Sequence, residues 1–347
     1  LAGCSGGPYA SLPDAPAEKL QAASGLWESY RTTLSDKATS RDEVALARHF
    51  CRPLVAATEP AEFLKRMSAA QKMTSTGLMD SIRLTALKQA PEGLLLIVES
   101  KAGQAAIPLC EEDGAPRLAD LAAASGDWKA APHHASAQMP EERSLLYLEV
   151  LVRDEQAPLA ERLRAAVGLA RKEWRSNLLK AQGRVTQPVV RLGLGLARTK
   201  VDGLDPSFIQ NFPADPAGLR ALLEADRALF EEMIVKLGNL GSAVEDPPAN
   251  EKMFQVAAAA PQEIQATAAR ALYDMAELSP ERFANGVRAQ VKDLQADPAL
   301  KLYFEELGRR GGSAPQLERF LKKFSKQGEP EERKLCRELL GRFPRTR

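Results

Sequence analysis

The sequence predicts an α+β domain followed by an all-helical one, and three observations carry that expectation. In the first third, the run Leu94-Leu95-Leu96-Ile97-Val98 has strand character and is bounded by turn-forming residues. Beyond Glu141, Leu and Ala recur at helical spacing and several apolar stretches begin at a proline. The composition, 44% hydrophobic and 27% charged with 5% aromatic in 347 residues, suits two or three domains that each bury a core. A formal net charge of +1 predicts no global attraction to nucleic acid or an anionic membrane. The most apolar stretch, Val185 to Val201, is interrupted by Pro188, Arg191, Arg198 and Lys200, so it is no bilayer span, which needs about 18 apolar residues or more.

Residues 17–129 form the predicted α+β domain. Leu20, Ala23, Leu26, Trp27 and Tyr30 share one helical face; Val44, Ala47, Leu54 and Val55 suggest a second helix, interrupted near Pro53; a third runs from Ala61 to Met73 after Pro60. The texture then becomes extended. Met79, Ile82, Leu84 and Leu87 fall in one strand-like segment, Gly93 to Ser100 in the next, and Ala105 to Cys110 in a third. After the turn Glu111-Glu112-Asp113-Gly114, Arg117 to Leu121 supplies a fourth. Residues 130–140, with Pro132, His133, His134 and Pro140, read as an interdomain linker whose histidines are solvated.

Residues 141–347 form the predicted helical domain. Leu145 to Leu151 starts it, and a helix from Leu159 is expected to continue through Trp174 to Leu179. Val189 to Ala197 is apolar all round, as a covered helix is; its Gly193 and Gly195 are read as a helix-packing contact, because the third glycine and preceding strand of a dinucleotide site are missing. One helix is expected from Asp215 or Pro216 through Leu237, and others over Lys252 to Ala260, Pro261 to Met275, Pro280 to Ala296, Pro298 to Arg309, Pro315 to Lys326 and Pro330 to Gly341. Short loops favour antiparallel neighbours, hence a stack or bundle of helices.

The segment Leu1-Ala2-Gly3-Cys4 resembles the lipobox of bacterial lipoprotein precursors. The resemblance implies an upstream signal peptide before Leu1, cleavage in front of Cys4, and fatty acyl chains such as palmitate on its thiol and new amino group. Those chains are the only prosthetic group expected, and they would anchor the protein to a membrane of the cell envelope. Residues 1–16, rich in Gly, Pro and Ser, read as a flexible tether. By the sorting rule of such lipoproteins, Ser5 implies the outer membrane, facing the periplasm.

Helices followed by an antiparallel meander that ends in Asp127-Trp128-Lys129 resemble the cone-shaped domains related to nuclear transport factor 2. In that family the concave sheet can enclose a small ligand, which points to Leu96 and Val98 as pocket residues here. Pro261 to Leu272, with small residues and an Arg on one side, looks similar to a HEAT-type helix. No repeat of fixed period accompanies it, so an irregular helical-repeat-like domain is expected.

With Cys4 acylated, Cys51, Cys110 and Cys336 remain. They are read as small buried apolar residues; Cys51 and Cys110 share a domain and could instead form a disulfide. No Cys or His spacing supports a metal site. His49 is placed in a helix beside Phe50 and Cys51, with no carboxylate spaced to orient it, so a structural role is expected. Nucleophile-elbow, phosphate-loop, zinc-helix and calcium-loop motifs are missing, and no catalytic residue is assigned. Lys322, Lys323, Lys326, Arg333, Lys334 and Arg337, with Arg342, Arg345 and Arg347, make the end of the chain basic; nearby glutamates dilute it, and a solvated face or a contact with an anionic partner both fit.

The function expected from these features is that of an envelope lipoprotein serving as a membrane-tethered interaction or scaffold component with a protein partner. The alternatives are a small apolar ligand binder using the sheet of the first domain and, third, a hydrolase of unrecognised type. Nucleic acid is not an expected partner.

Overall fold

A computed structural model of the chain describes residues 9–36, 39, 42–100, 103–126, 139–140, 143–245 and 247–343. Two units divide the chain, Leu1–Ala157 and Pro158–Arg347. The first is α+β and the second is helical.

Four helices open the first unit: α1 (Ala17–Ser35), α2 (Glu43–Ala47), α3 (Arg52–Ala57) and α4 (Pro60–Ser75). Asp42 starts α2 by accepting from the Val44 N–H, and Pro60 starts α4 where its missing N–H costs nothing. The interruption expected near Pro53 separates α2 from α3. As a result His49 lies in the turn between them and not in a helix.

The strands β1 (Arg83–Ala90), β2 (Gly93–Ser100), β3 (Gly103–Glu112) and β4 (Ala115–Leu118) form one antiparallel sheet in sequential order. Asp113 and Gly114, at φ 53° and 78°, close the last hairpin; two successive left-handed residues match the twist of the flanking strands. On one face, Leu95 and Ile97 pack with Ala90 and Ala106 under Tyr9 and Leu12. By alternation, Leu96 and Val98 point to the opposite face, and both are fully buried. Burial on two faces is why β2 reads as a continuous apolar run.

Tyr9 and Leu12 lie within the segment expected to be a free tether. The segment pairs with the edge strand: Gln89 N–H donates to Pro13 O, Ala15 N–H donates to Leu87 O, and Asp14 forms an ion pair with Lys88 at 2.8 Å. An uncovered edge offers unpaired backbone groups, and the segment satisfies those of β1. Residues 9–15 are therefore part of the first unit and not free; residues 1–8 of the expected tether lie outside the described residues.

Helices α5 (Leu121–Ala124) and α6 (Leu145–Arg153) complete the first unit. Most of α6 is buried, and it packs against α2 and α3. Ser144 Oγ donates to Val55 O at 2.8 Å, and Arg153 grips Asp42 with two bonds of 2.9 and 2.5 Å. The boundary thus falls after Ala157 and not within residues 130–140, and a helix expected in the second domain belongs to the first. Its partners are the physical reason: α2 and α3 cover it, and Val55 and Asp42 hold its two ends.

The second unit comprises α7 (Leu159–Gly168), α8 (Arg175–Arg184), α9 (Pro188–Asp202), α10 (Pro206–Asn211), α11 (Pro216–Ala225), α12 (Arg227–Gly241), α13 (Ala249–Ala259), α14 (Gln265–Leu278), α15 (Pro280–Gln290), α16 (Pro298–Arg309), α17 (Pro315–Gln327) and α18 (Pro330–Gly341). One apolar cluster extends through it from Leu163 to Leu339. The pairs α7 with α9, α12 with α14, α13 with α15 and α14 with α16 pack side by side, the arrangement of stacked helices. Gly193 and Gly195 make the close approach expected of them: a Cβ would meet Leu163 Cδ1 at 2.7 Å and Phe208 Cα at 3.0 Å.

Three helices are shorter than expected. The one from Leu159 stops at Gly168, and a 3-10 turn at Lys172–Trp174 precedes α8. The one from Pro216 breaks at Asp226, whose extended backbone ends α11 while its carboxylate accepts the Leu229 N–H and so starts α12. Helix α15 stops at Gln290; beyond it, Asp293 accepts the N–H groups of Gln295 and Ala296, a local turn that competes with helix.

Candidate functional site

In the first unit a disulfide joins Cys51 to Cys110, in place of the buried thiols that were the preferred expectation. The bond ties the residue before α3 to β3, and a second tie lies beside it, the Cys51 N–H donating to Leu118 O at 2.9 Å. Glu112 lies close enough to both sulfurs to make a three-ligand cluster, but sulfurs bonded to each other offer no thiolate. Burial pushes the Glu112 carboxyl up, opposed by donation from the Arg52 N–H at 2.6 Å and by the Arg52 guanidinium. Cys336 is free and buried in the second unit.

His49 is buried beside Tyr30, with Nε2 3.1 Å from Ser29 Oγ and Nδ1 3.2 Å from Leu46 O. Burial holds its imidazole below the usual range, and the cations of Arg117 and Arg48 push the same way. A neutral ring fixed by a hydroxyl and a carbonyl is positioned for packing. Leu96 and Val98, both at 0% exposure, are enclosed within the unit, and a ligand between them would have to displace core side chains. Cys4, His133 and His134 lie outside the described residues.

The second unit presents a groove that the sequence did not reveal. It has a volume of about 720 Å³ and lies between α18 and the segment that follows α15. Val287, Val291, Leu294 and Leu335 supply apolar lining, and Lys292, Asp293, Glu331 and Glu338 supply charge. Among the described residues, Lys292, Glu331 and Glu338 form no ion pair, whereas Arg288 at the same groove is held by Glu332 at 2.8 Å. Arg342 donates to Leu294 O and stacks on Phe304, which fixes the non-helical wall. Two signals were available: Glu331, Leu335 and Glu338 at helical spacing, and the Asp293 turn. The second was masked because residues 280–296 read as one helix.

The predicted basic residues fall on α17 and α18, which pack on each other across the Gly328 turn. Lys322, Lys323, Lys326, Lys334 and Arg337 are exposed and Arg333 is half-buried; Arg345 and Arg347 lie outside the described residues. Among the described residues, only Lys322 of these six has an ion-pair partner, Glu318 at 3.1 Å.

No known protein family, curated protein or solved structure matches the chain. Among the described residues no helix is long and apolar enough to cross a membrane.

Proposed function

We propose that the chain is a lipid-anchored interaction component of a bacterial envelope, held by acyl chains on Cys4, whose helical unit receives a segment of another envelope protein in the groove beside α18. The observation that carries this reading is the groove itself, an apolar lining with the charges of Lys292, Glu331 and Glu338 around it, none of them ion-paired among the described residues. Protein interfaces combine an apolar centre with a polar rim in this way. The Cys51–Cys110 bond adds support, because such bonds persist in oxidising compartments outside the cytoplasm.

In this reading the first unit is a cone-shaped domain of the type related to nuclear transport factor 2, and the second is an irregular HEAT-like array; the order of elements supports both. The tether is short. Between Cys4 and Tyr9 the chain spans at most about 18 Å, so the first unit stays near the bilayer surface. The buried acids Asp120, Asp205 and Glu306 are occupied by helix caps and guanidinium groups, which supports a binding role over a catalytic one. The ligand-binding alternative has less support, because Leu96 and Val98 are enclosed by their neighbours.

The test is a photo-crosslinking residue placed at Lys292 or Glu338 in the full chain, irradiated in the native cell, with Lys65 and Lys180 as exposed controls. A discrete protein adduct from the groove positions and none from the controls is expected. Equal adducts at all four positions, or none at the groove, would overturn the partner reading. Mass spectrometry of the peptide containing Cys4 tests the anchor separately, and an unmodified thiol in membrane-free protein would remove it.

A further inference from the structure

We infer that the cationic outer face of the α17–α18 hairpin docks on the anionic phosphate surface of a lipid bilayer, a second membrane contact distinct from any acyl anchor and from the groove. On α17, Leu317, Leu321 and Phe324 form the inward stripe. At about 100° per residue, Arg319, Lys322, Lys323 and Lys326 centre on the opposite side, so the entire outer face of that helix is basic. On α18, Glu331 and Glu338 lie on the groove side; Arg333 and Arg337 lie about 100–160° round the helix from them, and Lys334 stands between, about 40–60° from both glutamates.

The turn gathers the two sets. Gly328 allows a close reversal, since a Cβ there would meet Phe324 O at 2.9 Å and Glu332 Cβ at 3.1 Å. Glu329 and Glu332 close a reciprocal capping box that starts α18. From Lys322 to Arg337, every cation lies within about 14 Å of the turn along its helix axis. Among the described residues, Arg319, Lys323, Lys326, Arg333, Lys334 and Arg337 make no ion pair, and Lys323 rests against the Phe324 ring.

Lipid is favoured over an acidic protein by what the face lacks. Among the described residues, the exposed large apolar side chains are Leu64, Leu78, Met139, Leu179, Val235 and Leu278, and none lies on α17 or α18. A protein interface needs an apolar centre and is depleted in Lys, whereas a plane of phosphates asks only for mobile point charges. Four of the seven cations are lysines, compact charges on flexible stems, suited to a diffuse anionic surface.

The experiment uses the full chain carrying Cys4→Ser, so that no acyl chain contributes, sedimented with vesicles of phosphatidylglycerol and phosphatidylcholine or of phosphatidylcholine alone. Binding only to the anionic vesicles, weakening as salt rises, is expected. Each cation near an anionic surface strengthens partition about fivefold, so Lys323→Gln, Lys326→Gln and Lys334→Gln together should weaken it about 100-fold. The same charge removed at exposed Lys65, Lys72 and Lys180 should leave it within about twofold, which separates a local face from net charge. The inference is overturned if the protein ignores the anionic lipid or if the two triple variants lose binding equally. It is also overturned if the protein is retained by immobilised polyglutamate but not by vesicles, an outcome that would give the face to an acidic protein.

Discussion

Reduction of the Cys51–Cys110 bond should cost the first unit a large part of its stability. The two cysteines are 59 residues apart in sequence. For a closed loop of that size the restriction of the unfolded chain is worth about 4 kcal/mol at 25 °C. A unit of this length loses about 2 kcal/mol of stability per molar urea, so its midpoint should fall by about 2 M when the cross-link is opened. Of the three tryptophans, Trp27 and Trp128 lie in the first unit and Trp174 in the second. A Trp174→Phe background therefore makes fluorescence a report on the first unit alone.

Comparing oxidised with reduced protein isolates the cross-link, since the side chains are otherwise the same. Cys51→Ala with Cys110→Ala, measured without reductant, should behave like the reduced form, with a small added loss at Cys51, which is 2% exposed. A midpoint shift below about 0.5 M on reduction would refute the reasoning, because the cross-link would then constrain nothing that the unfolded chain explores.

Other consequences can be checked with the same unfolding measurement. Gly195→Ala should destabilise the second unit by about 1–3 kcal/mol, because its Cβ would meet the Phe208 backbone; Gly183→Ala, with nothing within 4 Å, should be neutral or stabilising by up to about 1 kcal/mol. Asp226→Ala removes the acceptor that starts α12 and the ion pair with Arg164, and a loss of about 1–2 kcal/mol is expected. The pH dependence at His49 has a definite sign. Its folded-state pKa is lowered by burial, so below about pH 6.5 the unfolded chain binds the proton first and stability falls with acid. Between about pH 7.5 and pH 5.5 the urea midpoint of the first unit should drop, and His49→Gln should flatten that drop. An unchanged slope in the variant would mean that another group carries it.

The order of elements was legible because each rests on local chemistry. The Leu94 to Val98 run, the Asp113-Gly114 turn and the prolines at the starts of α9, α11 and α15 to α18 state their structure within a few residues. The ends of helices were less legible. Asp226 and Asp293 look like ordinary polar residues on a helical face until their carboxylates accept backbone N–H groups two or three residues on. Membership of α6 in the first unit was not legible at all, since it depends on Asp42 and Val55, far away in sequence. The groove was missed for a related reason: one wall is a segment whose helical periodicity gives no sign of the turn that bends it.

The basic end of the chain was legible as a local run of bases although the net charge gave no sign of it, and the reason bears on how the protein would hold to a membrane. The total of +1 is a sum over 47 bases and 46 acids. Many of the acids are engaged at helix starts: Asp42, Asp120, Asp205, Asp215, Asp226 and Asp297 each accept backbone N–H groups there. In salt at physiological strength, charges more than about 8 Å apart hardly feel one another through solvent, so a bilayer touching α17 responds to the local face and not to the sum. An acyl chain on Cys4 would hold by burying methylenes, which salt does not weaken, whereas the hairpin would hold by charge, which salt does. Washing native membranes with concentrated salt should therefore leave the acylated protein bound but release the Cys4→Ser form.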